Sequence, residues 1–106
     1  MGAMGNEGTR EFVAECLWPD VRESDLRTLD RRAGEQAARL TAAGRQVRYL
    51  GSLLMREDEV VLCLFSGTRG DVRDAATAAE IPFERVLEMA RSPWGSQAHP
   101  SEVTGK

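Results

Sequence analysis

The chain of 106 residues is poor in the residue types that most often carry catalysis and metal binding, with one His and two Cys. A single His99 cannot build a multi-histidine metal cage, and a Ser-His-Asp triad would depend on it or on a neighbouring subunit. Two Cys are too few for a disulfide framework, and no secretory signal is recognisable, so we expect a reduced, cytoplasmic setting. No apolar run approaches the roughly 18 residues of a membrane span, so no membrane partner is expected.

The charge balance argues against nucleic-acid binding. The 14 Lys and Arg residues are outnumbered by 17 Asp and Glu, for a net charge of -3, whereas a nucleic-acid-binding domain needs a basic face. The phosphate-loop, dinucleotide and zinc-protease signatures are all missing from the sequence. A content of 42% hydrophobic and 29% charged residues is that of one globular domain.

The ends of the chain differ in composition from its centre. Residues 1–8 are Gly-rich and are predicted to be a tag or disordered leader, and residues 9–90 are predicted to form the folded domain. Residues 91–106 are predicted to be a flexible or loosely docked tail. Trp94 could anchor this tail over a cavity, bringing His99 with it, or the tail could be a disordered terminus.

Hydrophobic periodicity predicts four strands and two helices in the order βαββαβ. The strands are expected at residues 11–18, 46–55, 60–65 and 83–89. The first helix is expected to begin at Asp20, which could form a capping box with Glu23, or at Ser24, which with Asp25 is a second possible start in the next turn. It is expected to end before Gly44. The second is expected to begin with Thr68 as its cap and to end before Pro82.

This order is that of the ferredoxin-like α+β fold, a four-stranded antiparallel sheet in the order 4-1-3-2 with both helices on one face. The first and third strands are then central, and both are apolar on both faces. Two short helices cover one face only, and soluble monomers rarely expose an apolar patch as large as a sheet face. We therefore expect a homodimer that packs sheet to sheet and encloses a cavity.

Three segments carry a family resemblance: EFVAECLWPD, VRYLGSLLMREDEVVLCLFSG and IPFERVLEM. They resemble the small bacterial ferredoxin-fold proteins of the nickel-binding-protein-like family, over about 80 residues. The resemblance rests on Glu15, the Arg48-Tyr49 pair, Ser52, Cys63 and the run 82–86. It implies the fold, the dimer and a sheet-face cavity. Gly51 stands where the family often has His, the usual nitrogen ligand of nickel, so we expect no metal at this site.

Eight residues form the predicted site. The expected acid, base or polarising groups are Glu15, Tyr49 and Arg48. The expected ligand-binding residues are Val13, Leu17, Gly51, Leu53 and Cys63. Burial in a dimer cavity would suit Glu15 to acid–base work, whereas an ion pair with Arg48 or Arg85 would make its role structural.

Other residues of the predicted site also admit two interpretations. Gly51 could leave space for a ligand or mark a bulge in the strand. Arg48 and Tyr49 are neighbours on a strand and should point to opposite faces, and Tyr49 could orient a ligand or be a core aromatic. Cys63 and Cys16 are expected on adjacent strands, and they are more typical of inert packing than of a reactive pair.

The first functional hypothesis is a homodimer that binds a small hydrophobic molecule without any cofactor. The alternative is a cofactor-independent biosynthetic enzyme of the isomerase or cyclase type with Glu15 as its acid or base, by fold-level analogy. The third is nickel binding, as the family resemblance implies.

Overall fold

The computed structural model describes residues 9–92, which fold into four strands and two helices in the predicted order. The strands are β1 (Arg10–Leu17), β2 (Val47–Met55), β3 (Val60–Gly67) and β4 (Arg85–Met89). The helices are α1 (Glu23–Ala42) and α2 (Arg69–Ala78). The predicted leader, and Trp94 and His99 of the predicted tail, lie outside the described residues.

The four strands form one open antiparallel sheet in the order β2-β3-β1-β4. This is the predicted ferredoxin-like arrangement, with β1 and β3 at the centre. Because successive side chains of a strand point to opposite faces, every strand contributes to both faces of the sheet. In β1 the burial alternates, with Phe12, Ala14 and Cys16 buried and the residues between them at least partly exposed.

Both helices pack on the same face of the sheet and form the core with it. The helical side chains of the core lie at three- and four-residue spacing, as the periodicity predicts. They are Leu29, Ala33 and Ala37 of α1 and Val72, Ala75 and Ala76 of α2. The strands contribute Phe12, Ala14, Cys16, Val47, Val61, Cys63, Phe65 and Val86. We call the opposite side of the sheet, which no described element covers, the open face.

The helix termini follow local sequence signals, with one difference at the start of α1. Asp20 adopts a left-handed conformation with φ of 62°, so the chain is still in a turn there and α1 begins at Glu23. The Asp25 carboxylate accepts the backbone N–H of Arg22 at 2.9 Å, which satisfies one orphan donor of the first turn. At the other end Gly44 has φ of 91°, as expected of a glycine that terminates a helix.

The other boundaries differ from prediction by one or two residues. Thr68 caps α2 as predicted, since its hydroxyl accepts the backbone N–H of Asp71 at 3.2 Å. Strand β4 begins at Arg85 rather than at residue 83, because Pro82 has no N–H and the N–H of Phe83 is turned back to the carbonyl of Ile81. Within residues 9–92, neither helix has both the length and the apolar character needed to cross a membrane.

Candidate functional site

The open face is a grid of four rows, defined by the strand register. One row contains Arg48, Ser66, Glu11 and Met89. The next contains Gly51, Leu64, Val13 and Leu87. The third contains Leu53, Leu62, Glu15 and Arg85, and the last contains Met55, Val60 and Leu17. The polar side chains therefore occupy most of the first row and the β1 and β4 positions of the third row. The remaining positions of the face are apolar.

Several of these apolar side chains are widely exposed. Leu17 is 57% exposed, Leu53 52%, Met55 46% and Leu87 38%. They come from three different strands, so the exposure spans the width of the sheet rather than one edge. An apolar surface this continuous is unusual for a protein that works as a monomer.

A β-bulge in β2 determines which of the predicted site residues meet. The register passes from Tyr49 opposite Phe65 to Gly51 opposite Leu64, which leaves Leu50 as an extra residue. A one-residue shift moves all later side chains to the other face. Gly51 and Leu53 therefore lie on the open face, whereas Tyr49 lies on the helix-covered face.

The predicted site is thus divided between two faces. A regular strand would place Tyr49 on the same face as Gly51 and Leu53, as the predicted site requires, but the bulge reverses the alternation between them. Cys63 is also directed into the core and is completely buried. The members that the open face brings together are Val13, Glu15, Leu17, Arg48, Gly51 and Leu53. Arg48 and Tyr49 lie on opposite faces, as predicted.

Glu15 forms an ion pair on the open face. Its Oε1 accepts the Nε–H of Arg85 at 2.5 Å, and the carboxylate side chain is 31% exposed. The hydrogen bond with Glu15 raises the pKa of Arg85. A second pair joins Glu11 and Arg91 at 3.0 Å. The pairing of Glu15 with Arg85 is one of the two interpretations that the sequence allows for this residue.

Tyr49 belongs to a polar cluster that the sequence analysis did not identify. Its hydroxyl donates to Oδ1 of Asp30 at 2.5 Å, and the Ser52 hydroxyl donates to the same oxygen at 2.8 Å. The bulge makes this possible, because Tyr49 and Ser52 are three residues apart and would otherwise face opposite ways. Burial and the bond to Asp30 raise the pKa of Tyr49 well above its ordinary value near 10. We call these three residues the Asp30 cluster.

A signal for Asp30 was present in the sequence. It follows the core residue Leu29 and lies three residues before Ala33, so it borders the apolar stripe of α1. Its position at the edge of the stripe places its carboxylate within reach of the hydroxyls of β2.

The two thiols lie in the core beside this cluster. Cys16 and Cys63 are free, and both are fully buried. A hydrogen bond with Cys16, together with burial, raises the pKa of Cys63. A thiol with a raised pKa has little thiolate at neutral pH, which agrees with a packing role.

Three surface cavities adjoin these elements. The largest, about 530 Å³, is an open cleft between α1 and β2 that is lined by small helix residues, Arg48 and Tyr49. A cavity of about 250 Å³ lies where β2 begins and β3 ends, and Arg48 and Ser66 line it. A third of about 190 Å³ is lined by Glu15, Leu17, Val60 and Glu84. Within residues 9–92, no three His, Cys, Asp or Glu side chains are grouped so that they could hold a metal ion.

Comparison with known proteins supports the fold. The crystal structure of SCO4226 from Streptomyces coelicolor A3(2) superimposes with a TM-score of 0.60 at 12% sequence identity. The match covers 77% of this chain and 98% of that protein. No family model matches the sequence, and a search of curated proteins finds no match. At this identity the structural likeness establishes the fold alone.

Proposed function

We propose that the protein is a homodimer that binds a small hydrophobic molecule between the open faces of two copies. The observation that carries the proposal is the exposure of Leu17, Leu53, Met55 and Leu87 on a sheet face whose second and last rows contain no polar side chain. Burying one such side chain is worth about 1.5–3 kcal/mol. A second copy supplies a matching apolar face of the same dimensions.

The area of the open face is close to what such a dimer needs. Strands about 4.8 Å apart and rows about 6.8 Å apart give the face a projected area of roughly 500 Å². Two faces then bury roughly 1,000 Å² of projected area, and more of accessible surface because side chains protrude. This approaches the lower bound of about 1,200 Å² for stable protein interfaces.

The charges of the open face are compatible with self-association. In a two-fold dimer the same patch is present on both sides, so a net charge would be repelled by its copy. The pairs Glu15–Arg85 and Glu11–Arg91 each neutralise themselves within one chain. Apart from Arg48, the covered area therefore brings little uncompensated charge into the interface.

Gly51 favours a ligand pocket within this interface. A Cβ atom built at Gly51 would have no atom within 4 Å, so the space above this residue, opposite Leu64, is open. Its φ of 124° is a conformation that L residues rarely adopt, and it follows directly from the bulge. The open face of a second copy, laid over a position that has no side chain, would leave an enclosed space there. The two interpretations of Gly51, a bulge and a space for a ligand, are then compatible.

The other two hypotheses have less support. An acid–base role for Glu15 requires a carboxylate free to exchange protons with a substrate, whereas this carboxylate is bound to Arg85. A nickel site of the family's kind does not fit the residues present, because Gly51 offers no donor atom where the family often has His. The family resemblance itself stays a prediction.

The dimer is tested by placing a charge on the open face. Leu53→Lys changes a side chain that is already half exposed, so the folded monomer should tolerate it. Thr77→Lys adds the same charge at an exposed position of α2 and is the matched control. We expect wild type and Thr77→Lys to sediment as dimers, and Leu53→Lys to weaken dimerisation at least tenfold.

Ligand binding is tested with 1-decanol as a neutral apolar probe, measured by isothermal titration calorimetry. For wild type we expect saturable binding, with a fixed ratio of bound 1-decanol to dimer. For Leu53→Lys we expect loss of binding. A monomeric wild type at micromolar concentration would contradict the dimer. A dimer that takes up no 1-decanol would contradict the pocket.

A further inference from the structure

One charged residue of the open face differs from the others in its surroundings. Arg48 lies on the open face of β2, opposite Ser66 of β3 and one row from Gly51. The carboxylates and guanidinium groups of Glu11, Glu15, Arg85 and Arg91 are paired with one another. Among residues 9–92, Arg48 makes no ion pair with a carboxylate.

A concave space adjoins this arginine. The cavity of about 250 Å³ at the start of β2 is lined by Arg48 and by Ser66. Arg45 also lines it, but its Nε donates to Asp71 at 2.5 Å and its terminal nitrogen donates to Asp74. Arg48 therefore supplies the positive charge of this cavity that is not already neutralised.

The arrangement combines an anion-binding end with an apolar path. A guanidinium presents five N–H donors in a planar fork that matches a carboxylate, and the Ser66 hydroxyl adds a further donor. Next to the row of Arg48 and Ser66, the row of Gly51 and Leu64 begins the apolar part of the face, and the space above Gly51 is open. Since an unpaired charge is costly to cover, a dimer that buries this end gains from a ligand that neutralises Arg48.

We propose that the ligand is a hydrophobic monocarboxylate, with its carboxylate bound by Arg48 and Ser66 and its apolar body lying over Gly51 and Leu64. This assignment rests on the proposed function, since it names the chemical class held by the same interface pocket. The Glu15–Arg85 ion pair is neutral overall, so it does not compete with Arg48 for the bound carboxylate.

The test compares decanoate with 1-decanol, which share a chain length and differ in the charged head. Both are titrated calorimetrically at neutral pH into wild type, Arg48→Gln and the control Arg27→Gln. Arg27 is an exposed residue of α1, so its substitution removes the same charge far from the pocket. We expect wild type and Arg27→Gln to bind decanoate about tenfold more tightly than 1-decanol, and Arg48→Gln to lose this preference. Ser66→Ala should reduce the preference by a few-fold.

The outcomes separate this inference from the function on which it rests. Equal affinities for decanoate and 1-decanol in wild type would overturn the carboxylate assignment and leave the apolar pocket standing. Binding of neither probe would overturn the pocket as well. If Arg48→Gln weakens dimerisation in sedimentation while the preference for decanoate persists, Arg48 is an interface residue and the inference fails.

Discussion

The ionisation of Tyr49 offers the sharpest measurement of the Asp30 cluster. Tyr49 is the single tyrosine of the chain, so tyrosinate absorbance in the near ultraviolet reports on one side chain. Its hydroxyl is bonded to Asp30 at 2.5 Å and its pKa is raised above the ordinary value near 10. The perturbation is a rise in pH from neutral to about one unit above that value. We expect little tyrosinate in the folded protein under conditions where a free tyrosine is mostly ionised.

The sign and size of the effect on stability follow from linkage. Because the folded pKa exceeds the unfolded one, the unfolded chain loses the proton first. The contribution of Tyr49 to the free energy of unfolding is therefore complete below about pH 10, and it is lost as the pH rises towards the folded pKa. The loss is about 1.4 kcal/mol at one unit above the unfolded pKa, and it grows by a similar amount per further unit.

Urea unfolding of wild type and Tyr49→Phe at two pH values isolates this contribution. At about pH 8, where the unfolded tyrosine is still protonated, the lost hydrogen bond to a carboxylate should cost Tyr49→Phe about 1.5–3 kcal/mol. At about pH 11 the difference between the two proteins should shrink by about 1.4 kcal/mol.

Two results would refute the reasoning. A tyrosinate midpoint near pH 10 in the folded protein would show that the hydroxyl is solvated rather than bound to Asp30. A stability difference that stays constant between the two pH values would show that the folded and unfolded pKa values are alike. Titration of lysines interferes little with this measurement, since Lys106 is the only lysine of the chain.

Three further substitutions test the structure by urea unfolding at neutral pH. Asp30→Ala removes the acceptor of the Tyr49 and Ser52 hydroxyls, and we expect a loss of about 2–4 kcal/mol; a loss under about 0.5 kcal/mol would contradict the cluster. Gly67→Ala should cost more than about 3 kcal/mol, because its Cβ would lie 2.2 Å from a backbone oxygen. Gly51→Ala meets no atom within 4 Å and should cost only its backbone strain; equal losses at both glycines would contradict this.

The sequence predicts the fold well because the signals that define it are local. The Thr68 cap, the terminating Gly44 and the breaks at prolines each act within a few residues, and all are found where expected or within two or three residues. The topology then follows from the element order. The unoccupied sheet face follows in turn, because two helices cannot cover both sides of four strands.

The site is less predictable because it depends on a feature with no local signature. Leu50 is an apolar residue in an apolar strand, and nothing in its identity indicates that it has no partner on β3. The interpretation of Gly51 as a bulge was the only indication available. The consequence for Tyr49 required knowledge of the register, which forms between strands and not within them.

The bulge affects both faces of the sheet: the covered face, which contains the Asp30 cluster, and the open face, where the proposed pocket lies. On the covered face it turns Tyr49 and Ser52 towards one oxygen of Asp30, and so ties α1 to the edge strand. On the open face it places Gly51, with a positive φ and open space above it, opposite Leu64. An unbulged strand would place a different set of side chains on each face, since the alternation beyond Leu50 would be reversed. The Asp30 cluster therefore does more than stabilise the domain, because the same backbone that it holds forms the floor of the proposed pocket.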